Sequence, residues 1–321
     1  MEKVIEWLLE GEPWVVYRTR LDLLGQSEHD KEVITARDAM VSDPKVKLLF
    51  DEIRNWPGVV LNSHKSAKNT YHILSFLADL GLNNTDKPIQ VVLPLILSHQ
   101  SEEGPFQLSM NIPKHFGGSG NDDWAWALCD APVIVYALSK FGLGRNERVI
   151  QAADYLKDLV RDNGWTCVVS KELGKFRGPG KKNDPCPYAT FIMLKMLREI
   201  NPEKYAREIE IAANSLLQLW EKSKEQHPYM FFMGTDFRKL KAPNIWYDLL
   251  HFMDILSQVE SVITDGRFRE MADILRKKAD ADGKYTPESV YQVWKEWDFG
   301  QKKIPSRWIT LMVLRILKRL K

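Results

Sequence analysis

Apolar positions along the chain fall into two kinds of helical segment. One kind opens on a proline or small residue and is apolar on nearly every face: Pro13–Gly25, Ala67–Gly81, Pro132–Gly142, Pro187–Ile200, Pro243–Gln258 and Pro305–Leu320. Proline in a first helical turn sacrifices no intrahelical hydrogen bond and presets φ, so these are predicted helix starts. The other kind is one-sided: Lys31–Ile53, Ile89–Ser98, Glu147–Arg161, Pro202–Ser223 and Arg267–Ala279. In Glu147–Arg161, Val149, Ile150, Ala153, Leu156, Leu159 and Val160 share a face, with charges opposite. A helix apolar all round must be buried, whereas a striped one lies against a core, so the pattern predicts an inner and an outer layer. No sustained period-two run bounded by hairpin turns occurs, and the expectation is all-α, as one domain over residues 1–321.

A turn recurs after the outer segments. It reads Trp56-Pro57-Gly58, then Gln100 through Gly104-Pro105-Phe106, Asp162-Asn163-Gly164-Trp165 and Asp282-Gly283-Lys284-Tyr285, with a less regular version at Tyr229 to Gly234. Glycine permits the tight turn and the ring packs over helix ends.

Composition adds two points. The chain has 321 residues, with 45 Lys+Arg against 43 Asp+Glu, a balance that argues against nucleic-acid binding driven by charge. It also carries 11 Trp, 13 Phe and 10 Tyr, enough rings to fill a thick core or line a cavity. Three cysteines, Cys129, Cys167 and Cys186, do not suggest a disulfide framework. Glu2 and Glu6 stand where a signal peptide would be basic and then apolar, and no apolar run reaches the roughly 20 residues of a membrane span. The expectation is a cytoplasmic protein.

Six inner and outer helix pairs joined by Gln-x-x-x-Gly-x-aromatic turns resemble the (α/α)6 toroid of terpenoid cyclases and protein prenyltransferase β subunits. Gln100, Gly104 and Phe106 match the QW-type turn of that superfamily, with Phe for the usual Trp. The resemblance implies two candidate chemistries. Class II terpenoid cyclases protonate an alkene with an Asp-x-Asp-Asp motif at an inner helix start; here the stretch reads Ala127-Leu128-Cys129-Asp130, keeping Asp130 and placing Cys129 at the middle acid. Asp122 and Asp123 lie just upstream as out-of-register acids. The prenyltransferase β subunits hold zinc through Asp-x-Cys and a histidine. Asp184-Pro185-Cys186 resembles the first pair, and the helix bearing Asp248 and His251 resembles the histidine-bearing one, with Asp248 at the aligned position. A zinc ion held by Asp184, Cys186 and Asp248 or His251 is therefore what that resemblance implies, as is a partner subunit.

Each residue also has a plainer reading. Asp184 and Asp130 suit helix caps, Cys186 and Cys129 suit small buried hydrophobes, and His72 suits a hydrogen-bonded core position. Lys171 to Lys182 is either a solvated loop or a cationic lip for an anionic group, with Lys181, Lys182 and Arg307 as its candidates. Tyr188, Trp246 and Trp308 are core rings or cavity walls for an isoprenoid chain, a carbocation or a sugar. The leading expectation is a prenyltransferase- or terpenoid-cyclase-like protein that binds or acts on a small hydrophobic or anionic ligand. The rival readings are a carbohydrate-active (α/α)6 hydrolase or lyase using paired carboxylates, and a toroid scaffold without chemistry.

Overall fold

In chain order, the computed structural model contains α1 (Glu2–Leu9), α2 (Pro13–Arg18), α3 (Lys31–Ser42), α4 (Pro44–Arg54), α5 (Thr70–Leu80) and α6 (Lys87–Ser98). A small hairpin, β1 (Leu108–Met110) with β2 (Asp123–Ala125), precedes α7 (Ala131–Leu138), α8 (Glu147–Asp158), α9 (Pro187–Ile200) and α10 (Ala206–Glu221). The chain ends with α11 (Leu249–Leu256), α12 (Glu260–Ile263), α13 (Gly266–Arg276) and α14 (Arg307–Arg319). The structure describes residues 2–176, 178, 181, 183–223, 225 and 232–320; Lys182 and the turn expected at Tyr229 fall outside the described residues. The fold is all-α. It divides into two compact units, one made of 1–48 with 234–321, the other of 49–233.

The unit formed by 49–233 has α5, α7 and α9 side by side, α7 packing against both neighbours. All eight residues of α7 are buried, and α5 is buried at every position but Asp79. By contrast α8 buries only Val149, Ala152, Ala153 and Leu156, and it packs with α10 on α9. In the unit formed by 1–48 and 234–321, α11 is buried throughout and packs on α14, which packs on α2. There α3 and α13 bury a single stripe against α2 and α11. The expected alternation of wholly apolar and striped helices is thus an alternation of buried and half-exposed ones in both units.

The recurring turns tie helix starts together by one repeated bond pattern. The Trp165 amide donates to Thr190 Oγ1 of α9 at 3.0 Å, and the Cys186 amide donates back to the Trp165 carbonyl at 2.7 Å. In the other unit the Tyr285 amide donates to Thr310 Oγ1 of α14 at 3.0 Å, and Ser306 donates to the Tyr285 carbonyl at 2.9 Å. Cys186 and Ser306 then cap their helices in the same way, accepting from the amides of Ala189 and Ile309. At Gln100 the side-chain amide donates to the carbonyls of Gly104 (2.7 Å) and Arg148 (2.9 Å), stapling the turn to the first turn of α8. Gly104 has φ of +119°, and a Cβ there would lie 3.1 Å from the Gln151 carbonyl oxygen, so only glycine fits.

Four expectations need correction. The β1–β2 pair, with Ser109 opposite Trp124, is three residues long on each side, too short to show a period-two signal. Lys31–Ile53 is two helices, because Asp43 precedes Pro44 and takes an extended conformation (ψ 135°). The fifth inner helix begins at Leu249 rather than Pro243, since the cap that starts it is Asp248. The helix α1 and the π-helical turns Thr19–Leu23 and Ser139–Leu143 were not expected.

Away from the helix starts, buried charges lock the inner helices. Asp254 of α11 accepts from Arg315 (3.2 Å) and Arg319 (2.9 Å) of α14, and Arg315 also reaches Asp22, which accepts from Arg18 of α2 at 2.6 Å. Burial alone would raise the Asp254 carboxyl, but Arg315 and Arg319 outweigh it and hold the group well below the usual carboxylate range. Removing Asp254 leaves two guanidinium groups without their shared partner. Asp254→Asn should lower stability to urea by about 2–4 kcal/mol at pH 7. Because the folded carboxyl binds its proton less tightly than the unfolded one, this contribution is fully present at neutral pH, begins to fall near the unfolded value of 3.8 and is lost only as the pH drops through the much lower folded value. Urea melts of both proteins at pH 7 and pH 3 should therefore show a smaller difference at the lower pH, with the wild type still the more stable.

Candidate functional site

The unit formed by 49–233 holds a buried acid at the start of α7. Asp130 is 0% exposed. Its side chain makes no capping bond to the helix; Oδ1 instead accepts from the amide of Ala127 at 3.2 Å. The second oxygen, Oδ2, is buried and has no aligned hydrogen bond. It lies 3.3 Å from His64 Nδ1, inside ion-pair distance but off the line of a hydrogen bond. The cap expected of Asp130 is not formed, and one carboxyl oxygen is left to the site.

His64 is placed by α5. Its carbonyl accepts from Tyr71 Oη at 3.0 Å and from His72 Nε2 at 2.8 Å, while Asn69 Nδ2 donates to the neighbouring Ser63 carbonyl at 2.9 Å. A carbonyl can only accept, so the His72 hydrogen is on Nε2. Burial pulls His72 down to about 3, which keeps this imidazole neutral. The core-residue reading of His72 is the one observed, and it acts by holding the loop that presents His64.

Burial raises the Asp130 carboxyl above its ordinary value, while His64 and the amides of Ala127 and Ala131 pull the other way. The Tyr71 phenol is pushed well up by burial, with Tyr188 and Asp130 beside it. Tyr188, an expected cavity ring, is buried against this same cluster. The neighbouring Cys186 thiol and burial push the thiol of Cys129, next to Asp130 in the chain, well above its ordinary value.

The other expected site residues are distributed as follows. Asp122 is exposed and accepts from Asn111 Nδ2 at 2.7 Å, while Asp123 accepts from Ser119 Oγ at 2.5 Å. Asp184 accepts the Lys181 amide at 2.9 Å, closing a turn, and the Lys181 side chain is exposed. Asp248 caps α11 by accepting the His251 amide at 3.0 Å, and His251 Nδ1 meets the Trp246 carbonyl at 3.1 Å. Arg307 does not face an anion; its Nε donates to the Trp7 carbonyl at 2.8 Å and its guanidinium lies over the Trp7 ring. The Trp308 amide donates to Asp298 Oδ2 at 2.9 Å. The donors expected for zinc are thus engaged as caps and turn acceptors. Among the described residues no group of three or more His, Cys, Asp or Glu side chains is arranged to hold a metal ion.

Two further acids escaped sequence reasoning as titratable groups. Asp248 is pushed up to about 7 by burial, against the pull of the His251 amide and Lys241, whose ammonium lies 3.5 Å from the Tyr291 ring centre. Asp298 is pushed up to about 6 by burial with Glu12 beside it, although Ser306 Oγ donates to it at 2.6 Å. His64 was visible in the sequence only as a residue flanking an inner helix. No local motif pairs it with Asp130.

No family model matches the chain, and no curated protein matches it. Among solved structures, it is similar to two substrate-bound forms of the type II terpene cyclase MstE from Scytonema. Each is 13% identical, with a TM-score of 0.44, over 96% of this chain and 87% of that one. Both hold geranylgeranyl dihydroxybenzoate. Among the described residues no helix is long and apolar enough to cross a membrane.

Asp248 generates a test of its own. The folded carboxyl keeps its proton to about pH 7, whereas the unfolded one loses it near 3.8, so raising the pH through this window costs stability. An asparagine can still cap α11 without that penalty. Asp248→Asn should match the wild type at pH 4 and exceed it at pH 8 by an amount on the order of 3 kcal/mol, read from thermal or urea unfolding.

Proposed function

We propose that the protein binds an isoprenoid-like hydrophobic ligand and protonates one of its carbon–carbon double bonds, with Asp130 as the acid. The observation that carries this reading is Asp130 itself: a fully buried carboxyl whose Oδ2 makes no hydrogen bond and lies 3.3 Å from His64, in surroundings that raise its proton affinity above the ordinary one. A general acid needs a proton affinity raised above that of a free carboxyl and a place where water does not level it, and burial acts toward both.

In this mechanism the proton leaves Asp130 Oδ2 for an alkene carbon. The π electrons form the new C–H bond and leave a carbocation on the neighbouring carbon. Tyr71 and Tyr188 offer electron-rich rings in the same cluster, and the carboxylate left behind is stabilised by the Ala127 amide and by His64. The cation is discharged by losing a proton or by taking up a nucleophile. His64, whose side chain is 16% exposed, lies on the route by which solvent returns a proton to Asp130. Tyr71 and His72 act as positioning residues through the His64 carbonyl. Cys129 occupies the place of the middle acid in the resembled motif and takes no part in the proton transfer. No step passes through a metal.

The test is turnover of polyprenyl substrates, geranylgeraniol and geranylgeranyl diphosphate, with products resolved by gas chromatography and mass spectrometry after phosphatase treatment. The expected result is a cyclised or double-bond-shifted product, with deuterium taken up from D2O. Asp130→Asn should reduce its rate at least 100-fold while leaving ligand binding within about threefold of the wild type. Activity should also fall as the pH is raised through the elevated Asp130 value, because only the protonated carboxyl is competent. Binding of the polyprenyl probe without turnover at any pH would reduce the protein to a carrier; equal turnover by Asp130→Asn would remove Asp130 from the chemistry.

A further inference from the structure

An inner helix that is apolar on nearly every face should be covered on every face, and α14 is not. Val313 and Ile316 are buried, yet Leu314, Leu317 and Leu320, spaced three residues apart on one side of the helix, stay half-buried. Together with Ile5 of α1, and with Leu23 and Leu24 at the end of the π-helical turn, they wall a cavity of about 740 Å³. A mostly apolar lining with few polar groups, in a volume within roughly 300–1,000 Å³, is what small-molecule sites present. Leu24 is 45% exposed at its edge. The charged residues around this cavity are Glu2 and Glu6 of α1, Arg276 of α13 and Lys318 of α14.

A second, polar cavity of about 390 Å³ adjoins the first, and Arg276 and Leu320 line both. Thr264, Arg269 and Asp273 contribute its other polar groups. Arg269, Asp273 and Arg276 stand at i, i+4 and i+7 of α13 and so share a face. Arg276 Nη1 donates to Asp273 Oδ1 at 2.8 Å, so the one carboxylate in this cavity is engaged and one guanidinium charge is in excess. Lys318 is also engaged, its Nζ donating to the carbonyls of Asp22 at 2.9 Å and Leu23 at 3.1 Å. Glu2 and Glu6 are exposed on the α1 side, where they repel an anion. The positive charge left uncompensated therefore lies beyond Arg276, in the polar cavity into which the apolar one leads.

We propose that these adjoining cavities bind the anion of a long-chain fatty acid, its hydrocarbon chain along the leucine stripe of α14 and its carboxylate on Arg269 and Arg276. The chain takes the half-covered leucine faces out of water. The charge count selects the head group: one guanidinium in excess balances one carboxylate, whereas a diphosphate brings negative charge that nothing in the cavity offsets. A quaternary ammonium would meet two guanidinium groups. The planar donor fork of arginine fits a carboxylate, as Arg276 already does with Asp273. The site belongs to the unit formed by 1–48 with 234–321, which does not contain Asp130, and it stands apart from the proton transfer proposed above.

The test is isothermal titration calorimetry of the folded full-length chain with dodecanoate and with dodecyltrimethylammonium, a cation of the same chain length, both below micelle-forming concentrations. Dodecanoate should bind, and its affinity should fall at least about tenfold in Leu24→Glu and in Arg269→Glu, one change at the chain and one at the head group. Both positions are exposed, and unchanged melting temperatures should show that the variants remain folded. Asp130→Asn should bind dodecanoate as the wild type does, so failure of the proposed proton transfer leaves this result standing. Equal binding of the ammonium, or dodecanoate binding that neither Leu24→Glu nor Arg269→Glu weakens, would overturn the assignment. So would self-association in sedimentation that Leu24→Glu abolishes, with no dodecanoate taken up, since a second copy of the chain would then be what covers the leucine stripe.

Discussion

A helix buried on every face cannot leave the amides of its first turn to water, and this constraint organises the whole structure. The inner helices meet it in three ways. Pro13, Pro132 and Pro187 delete donors within the first turn. Cys186, Asp248 and Ser306 supply an acceptor from the side chain. Turn residues such as Trp165 and Tyr285 accept from the capping residue's own amide, so that the loop becomes part of the cap. The consequence is that polar and titratable groups are forced into the interior at helix starts, in surroundings that favour their neutral forms.

Most of these groups are then consumed. Asp248 spends one oxygen on the His251 amide, and Asp184 spends one on Lys181. Asp130 differs because its side chain turns back to the Ala127 amide instead of capping α7, leaving Oδ2 toward His64. Asp248 also keeps its Oδ2 buried without a hydrogen bond, so what sets Asp130 apart is the His64 imidazole 3.3 Å from its remaining oxygen. The charged networks serve a different purpose. Asp254 with Arg315 and Arg319 joins α11 to its neighbour α14 away from the helix starts, and in the other unit Lys195 of α9 reaches Asp79 of α5, the two helices that flank α7.

Much of the architecture was legible before any coordinates. The proline-led segments became helices within a few residues of their predicted starts, except where Asp248 rather than Pro243 opened the helix. The contrast between α7, apolar throughout, and α8, striped, translated directly into burial. Gln100 was recognisable from its spacing to Gly104 and Phe106, and its side chain makes the bonds that a stapled turn requires. Such features are legible because period and local chemistry determine them. The β1–β2 hairpin and the break at Pro44 were missed for a related reason: three-residue strands and a one-residue kink are shorter than the window in which periodicity can be seen.

The sequence by itself determined which helices are buried, where they begin and which polar residues must stand at those points, because an apolar face and a first-turn donor have requirements that a short stretch of chain already states. It singled out Asp130 and the cysteines as candidates without saying what any of them meets. Only the tertiary structure decided that His64, held by Tyr71 and His72, faces Asp130, that Arg307 rests on Trp7, and that the Cys186 amide bonds the Trp165 carbonyl. These pairings join loops far apart in the chain, and loop positions are set by backbone bonds to distant carbonyls, which leave no period and no motif in the residues that make them.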